Sequence, residues 1–193
     1  MRIHGENEIS RSIDVNQEND YKKYVPQLRE DFKHICGYCG KPEEVTTKGF
    51  EPDHFVPRRI DSSREIDYSN LVYSCFTCNR KKLGKWPTEN KDKPNDGEVG
   101  FVDPALKEYD THLGRDKEGS IEFYTSVGEY MYKNAFRFDI RPMKEIWKIS
   151  QLINAKENLF KIKDKLTSEE LMKYLELDKA VEELKKILFE KKE

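Results

Sequence analysis

Apolar residues in the first part of the chain recur at helical spacing. Tyr21, Val25, Leu28, Phe32 and Ile35 step by four, three, four and three, which is one helix face. Pro26 interrupts that face, so the regular helix is expected to begin there, with proline in its first turn. The helix leads into Cys36-Gly37-Tyr38-Cys39-Gly40, where the glycines suit a tight knuckle. Residues 41–49 read as loop, Phe50 to Phe55 as a short strand, and 57–69 as a charged loop opened by Pro57. Leu71-Val72-Tyr73 is a short apolar run before Ser74-Cys75-Phe76-Thr77-Cys78, from which a helix should run to about Leu83 and stop at Gly84. Prolines and glycines among charges make 87–100 a linker or surface loop. Thr111 to Thr125 predicts a hairpin turning at Asp116-Lys117-Glu118-Gly119, with Ile121 and Phe123 alternating on the second strand. Residues 128–142 read as helix, ended or kinked at Pro142. Beyond Lys144, Leu152, Ala155, Leu159, Ile162 and Leu166 mark one helix. Thr167-Ser168-Glu169-Glu170 is a capping box that restarts another, with Leu171, Leu175, Val181, Leu184 and Leu188 on its apolar face. Residues 1–18 are polar and patternless and predict a loosely packed arm.

The expected organisation is therefore α+β: an arm and helix over 1–33, a cysteine-framed module over 34–90, a hairpin-containing extension over 91–143, and a helical hairpin tail over 144–193. Charged residues make up 37% of the 193 against about a quarter in ordinary domains, and hydrophobic ones 36%, or about 41% with the ten glycines, against about 45–50%, so much of the surface is solvated helix. The 35 basic and 37 acidic residues nearly cancel, so any nucleic-acid binding must come from a local patch. No stretch approaches the roughly 18–20 apolar residues of a membrane span. Met1 to Asn7 carries no apolar run, so no secretory signal is expected. The thiols are then expected to stay reduced, in the cytoplasm, with disulfides disfavoured.

The four cysteines form two CxxC pairs, Cys36/Cys39 and Cys75/Cys78. Zinc takes four thiolates in a tetrahedron, and CxxC lets two sulfurs from one turn reach one ion. The alternatives are four ordinary buried cysteines or a redox dithiol, and the latter lacks a βαβ setting. A closed site of four thiolates is structural zinc, a staple and not a catalyst.

Between the pairs lies Glu51-Pro52-Asp53-His54-Phe55-Val56-Pro57-Arg58-Arg59, followed by Asn70 and then by Asn79 directly after Cys78. With Asp-His, then Asn, then Asn nine residues later and basic helix positions, the sequence resembles the HNH nucleases. That resemblance implies a ββα-metal module over roughly 34–86, in which one divalent cation sits between a strand and a helix. It also implies that Asn70 braces the loop so that His54 keeps one orientation. The chemistry of the residues agrees. Phosphodiester hydrolysis needs an activated water, a cation and fixed geometry. Neutral imidazole can deprotonate water near pH 7, which suits His54. Asp53 and Asn79 are hard oxygen donors that suit Mg2+ or Mn2+. Neighbouring strand residues face opposite ways, so Asp53 and His54 share a site only if the strand ends or bends there. Taken singly, each has a plainer reading: a surface Asp-His pair, a turn Asn70, and a solvent-facing Asn79.

Arg58, Arg59, Arg80 and Lys82 are the candidate phosphate contacts, against the plainer reading of a solvated charged face. Trp86 is expected to pack against the cysteine module and not to stack on a base. His4 and His34 are expected to be structural or exposed, and His112 to stand on the hairpin. Tyr24 to Cys39, Phe101-Val102-Asp103-Pro104, His112 and Gly119 also look like a wider group of bacterial HNH proteins of anti-phage defence. Among these are the nuclease subunits of Septu-type systems, which work with an ATPase. This likeness implies restraint by a partner; the heptad-like apolar stripes of the helical tail would be the docking surface, or, more simply, pack against each other within the chain. Three function classes follow: a divalent-metal-dependent endonuclease acting on nucleic acid, most simply DNA; a non-catalytic zinc-stapled binding module; and a regulatory subunit acting through its tail.

Overall fold

The computed structural model describes residues 1–46, 48–161 and 166–190, with the side chains of 188–190 excepted. The fold is α+β, and the chain forms two compact units, Met1–Arg141 and Pro142–Glu193.

In the first unit, helix α1 (Val25–Asp31) opens with Pro26 in its first turn, after a 3-10 turn over Tyr21–Tyr24. It buries Leu28 and delivers the chain to the first cysteine pair. Strands β1 (Glu51–His54) and β2 (Leu71–Ser74) pair antiparallel, with Asp53 opposite Val72 and His54 opposite Leu71. Helix α2 (Phe76–Lys82) follows at once, with Cys75 at its N-cap. It ends where Leu83 and Gly84 turn left-handed at φ 34° and 68°. The order strand, strand, helix is the ββα arrangement expected for the cysteine-framed segment.

The extension adds a short helix α3 (Tyr109–His112) and a hairpin of β3 (Leu113–Arg115) and β4 (Ile121–Phe123). The predicted Asp116–Gly119 turn joins the two strands, with Asp116 N–H bonded to Ser120 O at 3.0 Å. Helix α4 (Ser126–Glu129) continues as a π-helical turn over Tyr130–Ala135. Aromatic rings join these pieces to the ββα core. Phe55 meets Trp86 edge-on at 5.4 Å, Trp86 stacks on Phe101 at 5.9 Å, and Phe136 lies 4.7 Å from Tyr38. Trp86 is 1% exposed, so it packs as expected.

Three expectations fail in this unit. The helix expected over 128–142 breaks at Phe136, Arg137 turns left-handed at φ 53°, and only a 3-10 turn over Phe138–Ile140 precedes Pro142. The arm is not loose: Ile3 and His4 are buried, and Met1 and Arg115 exchange backbone hydrogen bonds of 2.6 and 2.7 Å. The arm can cross the knuckle because Gly40, at φ +66°, has no Cβ; one built there would sit 2.6 Å from Ile3 O. His112 ends α3 instead of lying on the hairpin, and its Nδ1 is 2.6 Å from Thr125 Oγ1.

The second unit is the helical hairpin, α5 (Met143–Phe160) and α6 (Ser168–Glu190). Thr167 and Glu170 form the predicted capping box, with Thr167 N–H on Glu170 Oε2 at 2.8 Å and Glu170 N–H on Thr167 Oγ1 at 3.3 Å. Lys156 pairs with Asp178 across the hairpin. The predicted faces are only partly realised. Ile149 and Ile153, not Leu152 or Ala155, are buried on α5, while Leu171 and Leu175 on α6 are about half exposed and Val181 is buried. Leu166 lies beyond the end of α5, and Ile162 and the side chain of Leu188 are outside the described residues. No helix among the described residues is long and apolar enough to cross a membrane.

Candidate functional site

The two cysteine pairs converge. All four sulfurs are buried and lie within 4.8 Å of one another, with Cys39 Sγ 3.9 Å from Cys75 Sγ. A zinc ion about 2.3 Å from four thiolates makes a tetrahedron with edges of about 3.8 Å. The sulfur cage therefore fits zinc. It does not fit a Cys39–Cys75 disulfide, which needs about 2.05 Å. The knuckle is held by its backbone: Cys36 N–H bonds to Lys41 O, Gly40 N–H to Cys36 O, and Gly37 N–H to Tyr73 O on β2.

Beside this cage, Asp53, His54, Asn79, Arg80, Arg58 and Arg59 line one open cleft of about 490 Å³. The strand ends at His54, which lets neighbours Asp53 and His54 both border it. Each of the three central side chains is fastened at one atom. His54 Nε2 lies 2.8 Å from Glu65 O. A carbonyl only accepts, so Nε2 carries the hydrogen and Nδ1 keeps its lone pair. Burial pulls the His54 imidazole below its ordinary pKa, outweighing the Glu65 carbonyl and the Asp53 carboxylate, so the ring is neutral at pH 7. Asp53 Oδ2 accepts from Tyr38 OH at 2.6 Å and faces Lys82 Nζ at 3.1 Å. Asn79 Nδ2 donates to Glu51 Oε2 at 2.8 Å. A carboxylate cannot donate, so this contact fixes the amide and leaves Oδ1 of Asn79 as the free oxygen. What remains unfastened is one imidazole nitrogen, one carboxylate oxygen and one amide oxygen, a donor set that suits a hard divalent cation and a base.

Asn70 is 1% exposed and clasps the loop after β1. Its Oδ1 accepts from Val56 N–H at 2.8 Å, and its Nδ2 donates to Val56 O at 3.0 Å and to Arg64 O at 3.4 Å. The loop it clasps carries Glu65, whose carbonyl holds His54.

Residues 36–84 match the HNH endonuclease family. No curated protein and no solved structure matches the chain. The family match supports nuclease-type chemistry and nucleic-acid binding for this HNH segment, which contains all four cysteines, Asp53, His54, Asn70 and Asn79.

The basic residues divide in a way the sequence did not reveal. Lys82 is fully buried, with Nζ 2.6 Å from His54 O and 3.1 Å from Asp53, so the expected phosphate contact is corrected to an internal one. Four residues after Cys78, it shares that residue's helix face and points into the core. Arg58 pairs with Glu65 at 2.6 Å, and Arg59 forks onto Glu89 at 2.6 and 2.7 Å. Both pairs are exposed and therefore weak enough for a phosphate to displace. Arg80 is exposed and lies over the Phe76 ring at 5.2 Å, with no carboxylate partner among the described residues. Lys48 Nζ covers the same ring at 4.0 Å. The Tyr21 ring meets the His54 ring edge-on at 4.8 Å, at the rim of the cleft.

Sequence reasoning missed Glu51, Tyr38, Glu65, Lys48 and Tyr21. Glu51 had a signal, since it lies two residues before Asp53 on the same strand face. The Glu65 contact is made by a backbone carbonyl and leaves no trace in residue type. A larger open cleft of about 780 Å³ is bordered by Arg11 and Asp67, but Arg11 is forked onto Asp103 and Asp67 is tied to Arg64 and Ser69. It offers no free reactive group of comparable kind.

Proposed function

We propose that the HNH segment is a divalent-metal-dependent endonuclease that hydrolyses phosphodiester bonds of nucleic acid, most simply DNA. The observation that carries this reading is the pinned His54 imidazole, neutral and with Nδ1 unengaged, in one cleft with Asp53 and Asn79. His54 Nδ1 takes a proton from water as its oxygen attacks phosphorus, the P–O ester bond breaks, and the leaving sugar oxygen takes a proton from solvent in the open cleft. Asp53 and Asn79 would hold Mg2+ or Mn2+, which supplies stabilisation of the charge that develops on the phosphate. Tyr38 and Lys82 fix the Asp53 carboxylate, and Glu51 fixes the Asn79 amide. Asn70 holds the loop that carries the Glu65 carbonyl. Arg80, and Arg58 and Arg59 once released from their glutamates, contact the backbone without reading sequence.

Supercoiled plasmid incubated with the full chain, with and without Mg2+ or Mn2+, tests this reading. Metal-dependent nicking that is abolished in His54→Ala, with zinc content unchanged, is the expected result. Retention of plasmid without cleavage in either metal, together with equal effects of wild type and His54→Ala in cells, supports the non-catalytic binding module instead.

The defence role is part of the same reading and rests on the likeness of the lead-in and of the Phe101–Pro104 segment to anti-phage HNH proteins. Phage challenge of cells carrying wild type or His54→Ala tests it. An ATPase or other regulatory partner docking on the helical hairpin is tested by deleting 144–193, which should abolish protection while leaving nicking. Cytoplasmic action is consistent with a thiolate centre, which requires reduced cysteines.

A further inference from the structure

Arg141 lies far beyond the end of the HNH match, yet its guanidinium reaches the cysteine cage. Nη1 is 3.3 Å from Cys78 Sγ, and Nη2 is 3.7 Å from Cys39 Sγ. The two nitrogens thus straddle one sulfur from each CxxC pair. Nη1 is also 3.4 Å from Phe136 O, and the group lies over the Phe138 ring at 5.1 Å. No carboxylate among the described residues pairs with Arg141.

Four thiolates around Zn2+ carry a net charge of about −2. Here the four cysteines are 0–1% exposed, so water does little to stabilise that charge. A half-enclosed guanidinium with no acidic partner poses the converse problem. Placed against each other, the two charges resolve both. N–H···S bonds spread the excess charge of the sulfurs onto the guanidinium and hold two of the four ligands in place. Groups outside the ligand set commonly change metal affinity by about 10–100-fold.

We propose that Arg141 is the counter-ion of the four-cysteine metal centre, so that zinc retention in this protein depends on a residue outside the HNH segment. Arg115 assists from the other side: it is 1% exposed and donates to Cys39 O at 2.7 Å, Ile3 O at 2.9 Å and Gly119 O at 2.6 Å. It thereby fastens the arm and the hairpin to the backbone of a ligand, while Arg141 addresses the sulfurs themselves.

The test uses zinc-loaded full chain and does not involve cleavage, so its outcome is independent of the nuclease reading. Zinc transfer to a chromophoric chelator is timed for wild type, Arg141→Met, Arg141→Lys and the neighbouring control Arg137→Met, whose parent arginine pairs with Asp139. Arg141→Met should lose zinc about 10–100 times faster, Arg141→Lys should lie between it and wild type, and Arg137→Met should match wild type. In the Co2+-substituted protein, the sulfur-to-metal charge-transfer band of Arg141→Met should move to longer wavelength as the sulfurs lose their hydrogen bonds. A wild-type release rate with an unmoved band overturns the proposal. So does equal release from the Met and Lys variants, which would assign the effect to packing. If Arg141→Met does not fold, Arg141→Lys is compared with Arg141→Gln: slower release from Lys supports the counter-ion, and equal release overturns it.

Discussion

Replacing Asn70 with alanine removes a clasp whose worth can be estimated bond by bond. Asn70 Oδ1 holds Val56 N–H and Nδ2 holds Val56 O, both buried, with Arg64 O as a longer third contact. Each buried backbone group left unsatisfied costs about 1–3 kcal/mol. The space vacated by the amide admits some water, which moves the total for two groups toward the low end, about 2–4 kcal/mol. For a chain of this size that is a fall in melting temperature of roughly 5–15 °C. The functional loss should exceed the stability loss, because the loosened loop carries the Glu65 carbonyl that holds His54. The assay is thermal melting of the full chain, with zinc content and plasmid nicking measured at a temperature where the variant is folded. Nicking should fall at least about tenfold at unchanged zinc content, as a misplaced base does in an otherwise assembled site. Asn70→Asp keeps the acceptor for Val56 N–H but turns a carboxylate on Val56 O, and should be no more stable than alanine. Asn70→Ala with wild-type melting and wild-type nicking refutes the clasp and leaves Asn70 an ordinary turn residue.

Arg80→Ala should weaken DNA binding and lower the slope of log affinity against log salt by about 1, the signature of one lost phosphate contact. Lys82→Met should leave that slope unchanged, because its ammonium is buried against Asp53 and His54 O. Burial depresses the His54 pKa, so its neutral form survives to lower pH than free imidazole allows. The acid limb of a pH–rate profile should therefore fall below about pH 6.5, and a midpoint above that value contradicts the assignment. His4 is buried against Gly37 O and the Tyr109 ring, and its pKa is lowered to about 4. The unfolded chain then binds the proton first, so this stabilisation is complete above about pH 6.5 and is lost as pH falls toward 4. The loss is on the order of 3 kcal/mol; His4→Gln should flatten that part of the stability curve measured by urea titration.

What could be read in the sequence was what local spacing encodes. The CxxC pairs announced a metal cage because two sulfurs per turn is a local property, and the Asp116–Gly119 turn and the Thr167–Glu170 capping box are local in the same sense. Depth was not legible. Lys82 and Arg80 look alike in a run of basic residues, and only their helix faces, inward with Cys78 and outward over Phe76, separate a buried positioning group from a surface cation. Likewise the polar arm has no periodicity, and its burial depends on distant partners: Gly40, Gly37 O and the Arg115 guanidinium. Arg141 could not be assigned to the cysteine cage at all, since nothing in the residues around it points to sulfur. The Asp-His pair and the two asparagines were legible as a set, whereas the atoms that hold them, a tyrosine hydroxyl, a backbone carbonyl and a glutamate, were not.

The central claim is that Asp53 and Asn79 hold one divalent ion in the cleft while His54 acts on water beside it. Mn2+ titration of the zinc-loaded full chain, followed by the paramagnetic resonance signal of free Mn2+, addresses it directly. Wild type and His54→Ala should each bind one Mn2+ per chain, while Asp53→Ala and Asn79→Ala should lose that site, and of the four only wild type should nick plasmid. Equal Mn2+ binding by Asp53→Ala and wild type, or full nicking by His54→Ala, contradicts the account.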